Sequence, residues 1–255
     1  MNSLIRVFRR AAKLITPPSL RPIAYLNSRA LSRLQNAVRT GPFRGMKYVA
    51  ESHCSAYLPK LLGVYERELH RCIEQACELP IHTVVDIGAA EGYYAVGMAL
   101  RLPKASIIAY ELDENARRRT IELAALNGVE GRVEVRGACE PASLRELSSA
   151  GLTFVICDCE GAEAELLRPE VVAWLGSAVV LVETHDFIVP GITDELCRRF
   201  AATHRIEIVE QEPRGRADYP FDNWYVRRMQ ECDIVGVVGE GRPAPMKWLW
   251  MMPKT

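Results

Sequence analysis

Acidic side chains stand at three points of the 255-residue sequence where an apolar run stops. Asp86 follows Thr-Val-Val, Asp158 follows Phe-Val-Ile-Cys, and Glu183 follows Val-Val-Leu-Val. Glu160 and His185 each lie two positions further on. Side chains alternate along a strand, so Asp158 and Glu160 share one side, as do Glu183 and His185. Two or three carboxylates and an imidazole on one rim suit removal of a proton from a hydroxyl group. Asp158, Glu160, Glu183 and His185 are therefore the candidate catalytic residues. Asp158, Glu183 and His185 could also ligate a divalent cation, but too few ligands can be named, and no metal is expected.

The first of these points opens a glycine loop, Asp86-Ile-Gly88-Ala89-Ala90-Glu91-Gly92, which runs into an apolar helical pattern. Strand, tight loop and helix together make the usual seat of a nucleotide-like cofactor. A pyrophosphate would want G-x-G-x-x-G, and the spacing here is different. Two carboxylates also stand where phosphate charge would lie, which is unfavourable in a partly dry loop. S-adenosylmethionine reverses the sign, since it carries a sulfonium and an ammonium group and no phosphate. Gly88 would let the loop pass close to such a ligand, and Gly92 would let the helix pack near the strand. The plainer alternative is an ordinary strand-to-helix turn with Glu91 in solvent.

The ends of the next two strands fit the same picture. Glu111 lies twenty-five residues past Asp86 and could accept both ribose hydroxyl protons. Gly137-Ala138-Cys139 offers small residues where an adenine ring would need room. Asp86, Gly88, Ala89, Gly92, Tyr93, Glu111, Leu112, Ala138 and Asp158 are the expected cofactor-binding residues.

From residue 82 the chain alternates strand and helix, which predicts a parallel sheet. Strands are expected at 82–87, 106–112, 133–139, 152–158, 178–183, 205–211 and 246–252. Helices are expected over 91–101, 114–127, 162–175 with a break at Pro169, 192–204, and briefly near 221–231. Before the sheet, Pro59 opens a predicted helix to about Leu79, with Leu61, Leu62, Tyr65, Leu69, Cys72, Ile73 and Ala76 at core spacing. Within it Tyr65 and Glu66 could reach the cofactor mouth, but Tyr65 is expected to pack and Glu66 to be a solvated or capping charge. Residues 81–255 form the expected catalytic domain, 41–80 a helical lead-in, and 1–40 a basic helical extension.

Net charge is zero, but residues 1–50 hold ten Lys/Arg and no Asp or Glu. The other 205 residues carry 22 basic and 32 acidic side chains, a net of −10. Residues 1–16 can form an amphipathic helix, ended by Pro17-Pro18. It could dock on the domain or a subunit, rest on an anionic membrane, or serve as a targeting segment. A nucleic-acid arm is disfavoured, because aromatics are not interleaved and the rest of the chain is acidic. No Asn/Asp-Pro-Pro-aromatic run and no Pro-Cys nucleophile occurs, which also argues against a nucleic-acid substrate. The eight cysteines form no C-x-x-C pair, so a reducing, cytoplasmic setting is expected. No apolar run approaches a membrane span.

The blocks Asp86-Ile-Gly-Ala-Ala-Glu-Gly-Tyr-Tyr94, Asp158-Cys-Glu-Gly-Ala-Glu163 with Leu166-Leu167, and Val182-Glu-Thr-His185 resemble those of FkbM-type class I methyltransferases. The segments 41–48, 58–66 and 240–249 resemble a subset of that family. The resemblance spans roughly residues 41–252. It implies an α/β, Rossmann-like fold: a seven-stranded, mostly parallel sheet with the last strand inserted antiparallel. It further implies S-adenosylmethionine as cofactor, and methylation of a hydroxyl on a sugar, glycan or secondary metabolite. By motif, Asp86, Gly88, Gly92 and Glu111 would bind cofactor, with Asp158 and Glu160 at the junction of donor and acceptor. Cys159 departs from the aliphatic residue usual there and is expected to pack. Two readings compete with this one. The first, an NAD-dependent oxidoreductase, lacks its glycine fingerprint. The second is a non-catalytic module that recruits a partner or membrane through the basic arm.

Overall fold

A computed structural model describes residues 22–49, 56–147, 151–224, 226–242 and 245–254. The expected helix over 1–16 and Cys54 lie outside the described residues. Seven strands form one sheet: β1 Ile81–Ile87, β2 Ser106–Tyr110, β3 Val133–Arg136, β4 Leu152–Cys157, β5 Val179–Thr184, β6 His204–Glu210 and β7 Lys247–Pro253. Their order is β3-β2-β1-β4-β5-β7-β6. β1 to β5 pair in parallel, and β7 runs antiparallel between β5 and β6. This is the expected Rossmann-like α/β sheet, and the strand order reverses at β1, where such sheets bind ligands.

The central strands are apolar on both faces because helices cover both. Val84, Ile107, Phe154, Ile156, Leu181 and Trp250 belong to one core, and Val85, Ile87, Val155, Val180, Val182 and Met251 to the other. The alternation continues past the strand ends. Asp86 follows Val84 by two, Asp158 follows Ile156, and Glu183 follows Leu181, so all three carboxylates project toward the first face.

On that face lie α4 Tyr93–Arg101 and α5 Glu114–Leu126, with a cap built of α1 Pro22–Leu34, α2 Tyr57–Leu62 and α3 His70–Cys77. Leu26, Ala30 and Leu34 of α1 are buried in the same core as Val84. The cap seats closely on α4: a Cβ on Gly97 would lie 2.6 Å from the Phe43 ring. The other face carries the short α6 Pro141–Glu146, α7 Glu163–Leu166 and α8 Ile192–Phe200. α9 Glu231–Val238 precedes β7 and contacts α1 and α2. No described helix is long and apolar enough to cross a membrane.

Several expectations fail at element ends. The predicted helix from Pro59 to Leu79 is cut in two. Gly63 is left-handed, with φ of 75°, and packs on the Thr40 backbone, where a Cβ would overlap. Thr40 Oγ1 donates to the Leu62 carbonyl at 2.7 Å and fixes that break. The stretch 162–175 condenses to α7 and a 3-10 turn, Ala173–Ser177, on either side of Pro169. β2 stops at Tyr110 and β3 at Arg136, earlier than expected. Glu111 accepts the Asp113 amide at 2.8 Å and turns the chain out of the ladder. The short helix expected near 221–231 is a 3-10 turn, Val226–Arg228, while α6 and α9 are additional to the expected helices.

Candidate active site

The loop after β1 is tight because three of its residues take positive φ: Gly88, Ala90 and Gly92. Gly88 and Ala89 donate their amides to the Tyr110 carbonyl at 2.9 and 3.0 Å. A Cβ on Gly88 would overlap the Asp158 carbonyl oxygen. The glycine is thus required by the end of β4, a reason the sequence does not display. Gly92 caps α4 and abuts Thr120 of α5, not the strand. Ala90 donates to Glu111 Oε2 at 2.8 Å, so the first acidic strand end and the second are tied together.

Glu91 is neither in solvent nor at the mouth. It is wholly buried, with Lys60 Nζ at 2.7 Å and the Tyr48 hydroxyl at 2.6 Å on its Oε1. Burial works against its charge, but Lys60 and these hydrogen bonds outweigh that and hold its carboxyl below the usual range. The loop's acidic character toward a ligand therefore rests on Asp86. Tyr93 also turns inward. Its ring packs edge-on to Phe43 and Tyr65 in the cap.

Asp86 is buried at the floor of the site, and its Oδ2 has no hydrogen-bond partner. Burial, with Asp158 and Glu111 adding like charge, pushes its carboxyl up to about 7. A buried acceptor atom without a donor is rare and calls for a missing partner. Glu111 is half-buried, Leu112 is 78% exposed and Ala138 is exposed. An acid, an open apolar side chain and a small residue thus stand at the ends of β2 and β3.

β4 and β5 bring the other candidates together. His185 is buried, and its Nδ1 lies 2.6 Å from Glu163 Oε1. Its Nε2 faces Asp158 Oδ1 at 3.5 Å, Glu160 Oε2 at 3.6 Å and Glu183 Oε2 at 4.0 Å. Burial opposes the imidazolium, but Glu163 and Asp158 outweigh it and the imidazole pKa is raised. Glu160 holds a left-handed backbone, with φ of 55°, and its side chain is open to solvent. Cys159 packs as expected: its sulfur lies 3.6 Å from that of Cys157 on the opposite face.

Three residues outside the expected site set complete the rim. Glu66, expected to be a solvated or capping charge with the mouth of the site as the alternative, is buried and accepts from the Tyr94 hydroxyl and from Arg242. Arg242 also bonds Glu183 and, at 2.8 Å, Glu240. Burial pushes Glu66 up to about 7 and raises Glu183 well above the carboxylate range, both against the pull of Arg242. Glu163 stood in the Asp-x-Glu-Gly-Ala-Glu block, which was the one signal for it. Glu66 and Arg242 are 176 positions apart, and no local pattern links them.

This arrangement can neutralise positive charge, accept hydrogen bonds from hydroxyl groups and take up a proton. No family model matches the sequence, and no curated protein matches it. Solved structures do resemble it in fold. A precorrin-6y C5,15-methyltransferase from Geobacter metallireducens GS-15 is 14% identical, with a TM-score of 0.51, over 71% of this chain and 87% of that one. The N-terminal domain of human METTL16 is 12% identical, with a TM-score of 0.50, over 91% of this chain and 81% of that one. At these identities the likeness establishes the Rossmann-like methyltransferase fold.

Proposed function

We propose that the chain is an S-adenosylmethionine-dependent methyltransferase that methylates a hydroxyl group of a sugar, glycan or secondary metabolite, an enzyme of the FkbM type. The observation that carries this reading is the unpartnered, buried Asp86 oxygen, near the carboxylates of Asp158 and Glu111, at the point where the strand order reverses. A ligand bearing a donor and positive charge fits it, and a pyrophosphate does not. Asp86 would take the cationic end, Glu111 the ribose hydroxyls, and Leu112 and Ala138 the flat face of the base. Bound there, S-adenosylmethionine would supply an electrophilic methyl group on sulfur.

The chain's own task is then to place an acceptor oxygen in line and remove its proton. Asp158, Glu160, Glu183 and His185 converge on one rim for that purpose. Glu163 holds His185 Nδ1, which aims Nε2 at the same point. The acidic rim disfavours phosphorylated acceptors, whose charge it would repel. Calorimetry with S-adenosylhomocysteine tests the reading. One-to-one binding is expected, and absence of heat at millimolar ligand with folded protein would sink the cofactor assignment.

A further inference from the structure

Asp158 and Glu183 stand at the ends of adjacent strands with their carboxylates close together, and like charges so placed favour a shared proton or a cation between them. A ligand atom from each of Asp158, Glu183 and His185 lies within 4.8 Å of the others. The imidazole supplies the independent observation. His185 is 1% exposed, its Nδ1 is held at 2.6 Å by Glu163, and Glu163 is itself fully buried. Its Nε2 is aimed into the carboxylate group, yet the nearest oxygens stand at 3.5, 3.6 and 4.0 Å. Those separations exceed the usual hydrogen-bond range of roughly 2.7–3.2 Å. Nε2 thus faces three carboxylates at ion-pair separations, each longer than a usual direct hydrogen bond.

We infer that Asp158, Glu183 and His185 form a binding site for a divalent transition ion, with Glu160 at its open side and Glu163 orienting the imidazole. The carboxylate–histidine–metal arrangement fixes the ligand's tautomer and raises its basicity. One imidazole with carboxylates suits Mn²⁺ or Zn²⁺ better than Mg²⁺, which favours all-oxygen shells. No thiol joins the set, since Cys157 and Cys159 lie on the opposite face. Arg242 occupies only one oxygen of Glu183, Oε1, and leaves Oε2 turned toward His185. The ion deepens the proposed function at the same rim: its open positions would take oxygens of the acceptor, and so favour one with neighbouring hydroxyl or carbonyl groups.

Mn²⁺ is the probe, added to chelator-treated, folded full-length protein and followed by electron paramagnetic resonance. Expected are saturable one-to-one loss of the free-ion signal and one nitrogen hyperfine coupling from the bound ion. His185→Gln should remove that coupling, and Glu163→Gln should weaken binding by roughly 10–100-fold. Saturation without a nitrogen coupling would overturn the inference, as would no saturation at all in the unaltered protein. Because both readouts come from that protein, a variant that misfolds does not decide the matter. S-adenosylhomocysteine binding in the presence of chelator is measured alongside. Its loss would count against the cofactor assignment, while Mn²⁺ binding would still report on this site.

Discussion

Lys60 and Glu91 form an ion pair of 2.7 Å with both side chains out of water, linking the cap to the loop after β1. The ammonium group also stands 4.8 Å from the centre of the Tyr65 ring and 5.4 Å from that of Tyr93. Removing one partner of a buried pair leaves the other charge uncompensated, at a cost of about 3–5 kcal/mol. Lys60→Met is therefore expected to lower unfolding stability by that order near neutral pH. Lys60→Met with Glu91→Gln should restore most of it. Denaturant titration of the two variants checks the point, and equal losses in both would refute the pairing.

Gly88 carries φ of 83° and faces the Asp158 carbonyl. Gly88→Ala meets both a left-handed backbone and a backbone clash, so the loop and the end of β4 must part. A loss of more than about 1 kcal/mol in stability is expected, since the native φ is incompatible with a side chain. Weaker S-adenosylhomocysteine binding should accompany it. Unchanged melting and unchanged affinity would show that the loop is looser than described.

Asp86 gives a pH dependence of definite sign. Its folded pKa of about 7 lies above the ordinary value of about 3.9. The native state then holds a proton that the unfolded chain has lost, so stability falls as pH rises from about 4 to about 7 and is level beyond. Asp86→Asn removes this slope. Without ligand, the variant should gain on the parent across that window, by roughly a few kcal/mol at about pH 8. It should also bind S-adenosylhomocysteine more weakly. Denaturant midpoints measured across pH, with parallel curves for the two proteins, would remove Asp86 as the cause.

Glu111 is engaged by the amides of Ala90 and Asp113, at 2.8 Å each. Its carboxylate is therefore held in place before any ribose arrives. Glu111→Ala should weaken S-adenosylhomocysteine by about 1–3 kcal/mol, the cost of lost hydrogen bonds to a charged group. Calorimetry reads this directly, and an unchanged affinity would take Glu111 out of the site.

Local pattern determined a good deal of this protein. The alternation of apolar residues in β1, β4 and β5 placed Asp86, Asp158 and Glu183 on one face, because strand side chains repeat every two residues whatever the neighbours are. The glycine loop, the parallel sheet and the acidic strand ends were legible for the same reason. Tertiary structure alone decided which carboxylates are neutralised inside the fold. Glu91 and Asp86 look alike in the sequence, but Lys60, thirty-one positions away, neutralises one, and no described donor reaches Oδ2 of the other. Sequence left Glu66 between a solvated or capping charge and a place at the mouth of the site, and only the packing of the cap brought it to Arg242 and Tyr94. Burial and long-range charge pairing depend on the packing of segments distant in the chain, and a residue's own neighbours carry no record of them.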